Sequence, residues 1–394
     1  MTTLKILFWI CFFLVVYTYI GYGVLLWLLV KLKRIFKGKD VPLDMPEDEA
    51  LPHVTFLICA YNEQDVVEMK MENTLQLDYP KNKLHIMWVT DGSTDQTNEK
   101  LKRYPRVKIA YYPERRGKTA ALNHGISLST SEITVMTDAN TLVNKEALRE
   151  ITKYFQDPTV ACVAGEKRVM ARNEGETAAQ GEGLYWRYES TLKQLDSEFY
   201  STMGAAGELN AILTALYKPM PENALLDDFV MSMRMVDEGY RIAYAPNAYA
   251  MEYGSANLHE ESKRKRRIAA GGLQSSWWLR NMMNPFRNVA VAFQFVSHRV
   301  LRWTITPFAL VALIPLNVLL LFMNAGTIYT ILWALQVLFY LAAFCGYYME
   351  QHGKKNKWLY VPYYFLFMNL NVFYGIPYLK SHQHAGTWEK AKRA

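Results

Sequence analysis

The sequence predicts an α/β domain built on a mainly parallel sheet and set between apolar, charge-poor ends. Three observations predict it. Short apolar runs of strand character alternate with helical stretches through the middle of the chain, the pattern of a parallel sheet covered by helices on both faces. Polar clusters stand just after the apolar runs, where open α/β sheets take their ligands. Ile6 to Val30 holds no charged residue and is long enough to cross a hydrocarbon core of about 30 Å.

The first apolar stretch has neither the short core nor the small-residue cleavage site of a signal peptide. Lys31, Lys33, Arg34, Lys37 and Lys39 stand directly after it. By the positive-inside tendency, the chain beyond this stretch lies in the cytoplasm. Val54–Cys59, Leu84–Thr90, Val107–Tyr111 and Ile133–Met136 read as strands. Glu63–Leu75, Thr94–Arg103 and Lys118–Leu128 read as the helices between them. Gly271–Trp303 has no acid but carries Arg280, Arg287, Arg299 and Arg302 among Trp277, Trp278, Phe286 and Phe293. This composition suits helices lying in the headgroup plane; a buried linker helix is the alternative. Thr304–Met323 and Gly326–Met349 form a spanning hairpin that turns near Asn324 and returns to Lys354, Lys355 and Lys357. Trp358–Leu379, interrupted by Pro362, Asn369, Asn371, Gly375 and Pro377, reads as a further span or as a re-entrant or interfacial element. The basic tail with Lys380, Lys390, Lys392 and Arg393 stays inside.

Composition narrows the function classes. The net charge of +7 over 394 residues is modest. No basic run is interleaved with aromatics as in a nucleic-acid groove, so no nucleic-acid partner is expected. A basic balance beside apolar segments points to contact with anionic lipid headgroups or with an anionic substrate. Cys11, Cys59, Cys162 and Cys345 lack metal or disulfide spacing and read as reduced structural residues. A transporter is disfavoured because the apolar spans lack the ionisable residues of an ion pathway.

Three acidic clusters and one basic cluster carry the chemistry. Asp91-Gly92-Ser93-Thr94-Asp95 comes after a strand, where a carboxylate accepts from a base or ribose, or caps a turn. Asp138-Ala139-Asn140 sets two oxygen donors two positions apart, fit for one hard cation or for a turn. Asp227-Asp228-Phe229 opens a helix ending near Gly239; a carboxylate there serves as general base or as a favoured helix N-terminal acid. In order, the chain reads Ala60-Tyr61-Asn62-Glu63, Asp91 to Asp95, Arg116-Gly117-Lys118-Thr119-Ala120-Ala121-Leu122-Asn123, Thr137 to Thr141, Gly207-Glu208 and Leu226 to Phe229.

Together these resemble a family 2 glycosyltransferase with a GT-A (Rossmann-like) fold. The likeness is to the membrane-integrated branch that includes cellulose, chitin, hyaluronan and poly-N-acetylglucosamine synthases. It extends to the closing Gly386-Thr387-Trp388. The resemblance implies that Ala60, Glu63 and Asp91 hold the uridine, and that Lys118 lies near the diphosphate. It implies that Asp138 and Asn140 hold Mg2+ or Mn2+, that Asp228 is the catalytic base, and that Asp227 supports it. Gly207 and Glu208 match the region bordering the acceptor. The implied reaction is inverting transfer from a UDP-sugar to a glycan acceptor, making β-linked extracellular or capsular polysaccharide.

Two departures bear on this. Asn140 replaces the usual second Asp, which weakens the metal site. Arg264-Lys265-Arg266-Arg267-Ile268 stands where processive synthases carry Gln-x-x-Arg-Trp, leaving Arg267 to clamp the diphosphate, while headgroup contact is the other reading of the run. The missing Gln and Trp keep open single addition to a polyprenyl-linked or other lipid acceptor, and Asn140 keeps open a catalytically silent membrane scaffold. The implied organisation is an N-terminal transmembrane helix at 1–35, a cytoplasmic GT-A domain at 50–260, and basic interfacial helices at 261–303. A transmembrane region at 304–380 and a basic tail at 381–394 complete it, in a protein integral to a bacterial-type inner or plasma membrane.

Overall fold

The computed structural model describes residues 1–38, 43–170, 177–254, 258–352, 354 and 356–382. Lys39, Lys355, Gly386-Thr387-Trp388, Lys390, Lys392 and Arg393 lie outside the described residues.

The chain opens with α1 (Thr2–Val16) and α2 (Tyr22–Lys37), joined through a π turn into one helix. The central domain then runs β1 (Val54–Ala60), α3 (Val67–Leu75), β2 (Leu84–Asp91), α4 (Thr97–Leu101), β3 (Val107–Tyr112), α5 (Lys118–Ser127) and β4 (Ile133–Asp138). It continues with β5 (Leu142–Val143), α6 (Ala147–Thr152), β6 (Val160–Met170), α7 (Thr177–Phe199), β7 (Leu209–Leu213), α8 (Asp227–Asp237) and β8 (Arg241–Tyr253). The last part is α9 (Leu258–Trp278), α10 (Val289–Phe295), α11 (Leu301–Trp303), α12 (Ile305–Phe322), α13 (Thr327–Gln351) and α14 (Lys357–Ser381).

The eight strands form one sheet in the order β3-β2-β1-β4-β7-β6-β8-β5. Strands β1 to β4 are mutually parallel, as the alternating pattern predicts. Beyond β4 the sheet becomes mixed: β7 runs antiparallel to both β4 and β6, β8 parallel to β6, and β5 antiparallel to β8. Strand periodicity specifies the first half; the reversal at β7 depends on long connections that periodicity does not specify. Two cores cover the sheet, one around Phe56, Trp88 and Leu148, the other around Leu57, Phe229 and Ile242.

Register gathers the site. Cys59 lies opposite Asp138 and Ala60 opposite Thr90, so the ends of β1, β2 and β4 are level. Because β7 is antiparallel to β4, with Thr137 opposite Leu209, its leading residues Gly207-Glu208 arrive beside Asp138.

Three helical stretches among the described residues are long and apolar enough to cross a membrane: Thr2–Lys37, Ile305–Phe322 and Thr327–Gln351. The connection between the last two turns at Asn324 and Gly326, both at positive φ. Helix α14 is continuous despite Pro362 and Pro377, and it buries Tyr360, Tyr364, Asn369 and Asn371. Gly375 lets it approach α9, since an added Cβ would sit 2.8 Å from that of Ala269.

The end of α9 and the segment after it pack inward as well as presenting an outer face. Met282, Val291, Phe295 and Val300 join the core beside Phe229, while Trp277, Phe286 and Val289 remain exposed. Within the basic run, Arg264 and Lys265 are buried against Glu261 at 3.1 and 3.3 Å, so headgroup contact is not their role. Arg266 is exposed over the Tyr374 ring. All four cysteines are free.

Candidate active site

Two loops at the carboxyl ends of β1 and β2 are stitched together by local hydrogen bonds. Asn62, in the left-handed region that asparagine tolerates, accepts from the Thr94 amide at 2.8 Å and donates its own amide to Ser93 Oγ at 3.1 Å. The Glu63 amide donates to Thr97 Oγ1 and the Gln64 amide to Asp95. Ala60, at the strand end, is buried. Of the residues expected at the nucleotide base, Glu63 is thus held through its backbone amide.

Asp91 has partners that sequence reasoning did not provide. Its two oxygens accept from the Arg116 and Gly117 amides at 2.8 and 2.7 Å. The carboxylate thus holds the chain that leads directly into α5 and its first residue, Lys118. Gly92 permits this approach: it has φ +68°, and a Cβ there would come within 2.5 Å of the Arg115 nitrogen.

Lys118 is the hub. Its ammonium lies 2.6 Å from Asp138 Oδ1 and 4.0 Å from Asp227 Oδ2. Burial opposes the charge, but Asp138 and then Asp227 outweigh it, and the lysine is held firmly protonated. Asp227 is buried, and its Oδ2 has no hydrogen-bond partner. Asp228 accepts from the Phe229 amide at 2.8 Å. Burial, and next the Asp227 charge, push its carboxyl up to about 7, against the opposing pull of Lys118. Gly207 closes this corner, since a Cβ on it would stand 3.2 Å from both Asp228 Oδ2 and Lys118 Nζ.

Glu208 belongs to a second cluster. It accepts from Lys167 Nζ at 2.5 Å, and Lys167 also pairs with the buried Glu252. Burial would raise the Glu208 carboxyl, but the Lys167 ammonium outweighs it and holds the group well below the usual range. Glu208 is therefore a half-buried, ionised anchor. Arg267, on α9, is half-buried.

Residues 52–271, more than half of the chain, match the family described as Glycosyltransferase like family 2. The chain belongs to this family. Among the relatives of this family 2 glycosyltransferase is a poly-beta-1,6-N-acetyl-D-glucosamine synthase of Staphylococcus aureus, strain MSSA476. It is 29% identical over 240 residues, which are 58% of this chain and 56% of the relative. The Staphylococcus epidermidis protein of the same name is 25% identical over 237 residues, or 57% and 56%. The alignments thus span little more than half of either curated relative. A solved mannosyltransferase, PcManGT from Pyrobaculum calidifontis in complex with GDP-Man and Mn2+, shares the fold. Its TM-score is 0.69 at 23% identity, over 95% of this chain and 99% of that one.

The donor set of this glycosyltransferase fits a divalent cation. Asp138 ends β4, Asn140 follows two residues later, and Asp227 Oδ2, paired with Lys118 only at 4.0 Å, has no hydrogen-bond partner. Among the described residues no group of three or more His, Cys, Asp or Glu forms a cage. A hard cation here would take its other ligands from phosphate oxygens and water, as Mg2+ usually does.

Sequence reasoning missed three positions and one aromatic contact. Lys70 lies in the buried stripe Val67, Lys70, Met71 and Thr74 of α3. This spacing was readable as an inward face, and a lysine in such a stripe is the signal. Lys167 and Glu252 left none, because their strands pair only in the folded sheet. Trp303 contacts Phe229, the neighbour of Asp228, edge-on at 5.0 Å between centroids.

Proposed function

We propose that this chain is an inverting, UDP-sugar-dependent transferase that extends a glycan acceptor with β-linked sugars at a membrane. The observation that carries the reading is the convergence of Asp138, Asp227 and Asp228 on Lys118, with Asp228 pushed up to about 7. A base with that affinity for protons is matched to deprotonating a hydroxyl near neutral pH. The acceptor oxygen attacks the anomeric carbon in line as the bond to UDP breaks, and its proton passes to Asp228. Lys118 stabilises the charge developing on the departing diphosphate. Asp138 and Asn140 would hold Mg2+ or Mn2+, which supplies further charge neutralisation when bound. Inversion of an α-linked donor yields a β linkage. The relatives' names motivate N-acetylglucosamine as the first sugar to test.

The basic end of α2 supports a cytoplasmic catalytic domain. Lys33 and Arg34 stand after the apolar stretch and bind Glu198 at the end of α7, so the domain lies on the positively charged side of that helix. The exposed Trp277, Phe286 and Val289, beside Arg280 and Arg287, suit contact with the headgroup layer.

A cavity of about 330 Å³ favours a second reading of the acceptor. It is lined by Tyr19, Tyr188, Trp303, Tyr364, Phe365 and Lys265, among others, between the apolar helices and α9. Aromatic walls with a cation serve a stacked glycan or the linker of a lipid-borne acceptor.

The test is UDP release by the full chain in nanodiscs, across UDP-sugars with Mg2+ or Mn2+, with Asp228→Asn in parallel and the product sized. Turnover with one donor, lost in the variant, supports the reading, and long product selects polymerisation. Single additions to lipid select the second reading. No turnover with any donor, with or without lipid acceptors, overturns both in favour of a silent scaffold.

A further inference from the structure

Lys70 belongs to none of the motifs above, yet its ammonium ends beneath the Asp138 turn. The residue is fully buried on α3. A buried ammonium is costly unless oxygens replace its water. Here three neutral oxygens replace part of it, Thr137 Oγ1 at 3.1 Å, Thr141 O at 2.9 Å and Thr141 Oγ1 at 3.2 Å, while burial still pulls the group down to about 7. These two threonines bracket Asp138-Ala139-Asn140.

Each threonine passes the restraint on. Thr141 Oγ1 donates to the Asp138 carbonyl at 2.8 Å and closes the turn. Thr137 Oγ1 donates to the Glu208 carbonyl at 2.8 Å and so reaches the loop at the head of β7. A lysine serving only as filler would be replaceable by an apolar side chain of similar length, with the charge removed at no loss. This side chain instead ends with Nζ within hydrogen-bond distance of three oxygens on the two residues that fix the ends of the turn.

We propose that Lys70 is a positioning residue: it holds the Asp138–Asn140 turn in its cation-presenting geometry and couples that turn to the Gly207-Glu208 loop. The inference rests on the functional reading above. The strand end alone leaves the turn free to rotate its two oxygens apart, and a weak pair with one neutral amide gains most from being held. Groups that orient metal ligands in this way are worth about 10–100-fold in metal affinity.

The experiment measures Mn2+ binding to the full chain in nanodiscs with UDP present, from the paramagnetic signal of free Mn2+. UDP affinity without metal is measured alongside. Lys70→Met is expected to weaken Mn2+ by about 10-fold or more, with metal-free UDP affinity unchanged, because the base-side loops do not depend on Lys70. Half-saturating Mn2+ for turnover should rise in step, while turnover at saturating Mn2+ is largely recovered. Thr141→Val, which removes one acceptor and the bond to Asp138 but keeps the volume, should shift Mn2+ in the same direction and decides the matter if Lys70→Met does not fold. Native Mn2+ binding with an unchanged affinity in the folded variant overturns this inference alone. No Mn2+ binding by the native chain overturns the metal-dependent reading and this inference with it.

Discussion

The Lys118 ammonium lies 2.6 Å from Asp138 and 4.0 Å from Asp227, so one cation joins the end of β4 to the start of α8. The donor-side acid and the acids of the proposed base are thereby parts of one electrostatic unit. Changing any member should be felt by the others.

The first consequence concerns pH. Asp228 must be ionised to accept a proton, and its carboxyl is pushed up to about 7. kcat/KM should therefore fall as pH drops below about 7, with a slope of one proton. An acid limb near the ordinary carboxylate value of about 4 would show that another group is the base.

Stability should move the opposite way. For a carboxyl raised in the folded state, the native protein binds more protons than the unfolded chain between the unfolded value near 4 and the folded value near 7. Stability then declines as pH rises through that window and levels off above it. Asp228→Asn should cut turnover by about 10²–10⁴-fold while raising the melting temperature at pH 8 and leaving it little changed at pH 4. A variant that melts lower at pH 8 would contradict the assignment of a strained, ionised Asp228.

Lys118→Met tests the hub. Lys118 lowers the Asp228 carboxyl, so its removal should shift the acid limb of kcat/KM upward and cut turnover with UDP-sugar. A pH profile in which the limb stays in place would show that Lys118 and Asp228 are not coupled.

Gly207→Ala probes space rather than charge. The new methyl would stand 3.2 Å from Asp228 Oδ2 and Lys118 Nζ, tighter than ordinary contact but against movable side-chain ends. The expected result is a folded protein with an unchanged melting temperature and turnover reduced at least about 10-fold, by analogy with other small misplacements of reacting groups. Wild-type kinetics would remove Gly207 from the site.

Lys167→Met tests the buried cluster. Glu208 and Glu252 would lose the cation they share, and breaking a buried pair costs about 3–5 kcal/mol. Thermal unfolding should show a clear drop, partly restored by the double variant Lys167→Met, Glu252→Gln, because the second change removes an uncompensated charge. An additive pair of effects would mean that the cluster does not act as a unit.

Much of the fold was legible because its signals are local. The strands β1 to β4 announced themselves as apolar runs, and the structure extends each by one or two residues at its carboxyl end. The first helices of the domain begin later than their sequence patterns, α3 at Val67 and α4 at Thr97, since residues 62–64 and 94–96 spend hydrogen bonds on cross-linking two loops. The spans were legible from charge-free length. The packing of 279–300 onto the catalytic core was not, because an amphipathic segment reads the same whether its apolar side meets lipid or protein.

By itself the sequence determined the α/β class, the apolar ends and the order of motifs, all of which arise from residue chemistry over a few neighbouring positions. It also marked Asp138, Asp227, Asp228 and Lys118. Only the tertiary structure decided that the three acids meet at one lysine, that Asp91 holds the chain leading into α5, and that Glu208 is anchored by Lys167. It alone brought Lys70 under the Asp138 turn, 67 residues away from Thr137 in the chain. Burial and the summed field of neighbouring charges set these roles, and both depend on which strands pair, which no local window of sequence contains.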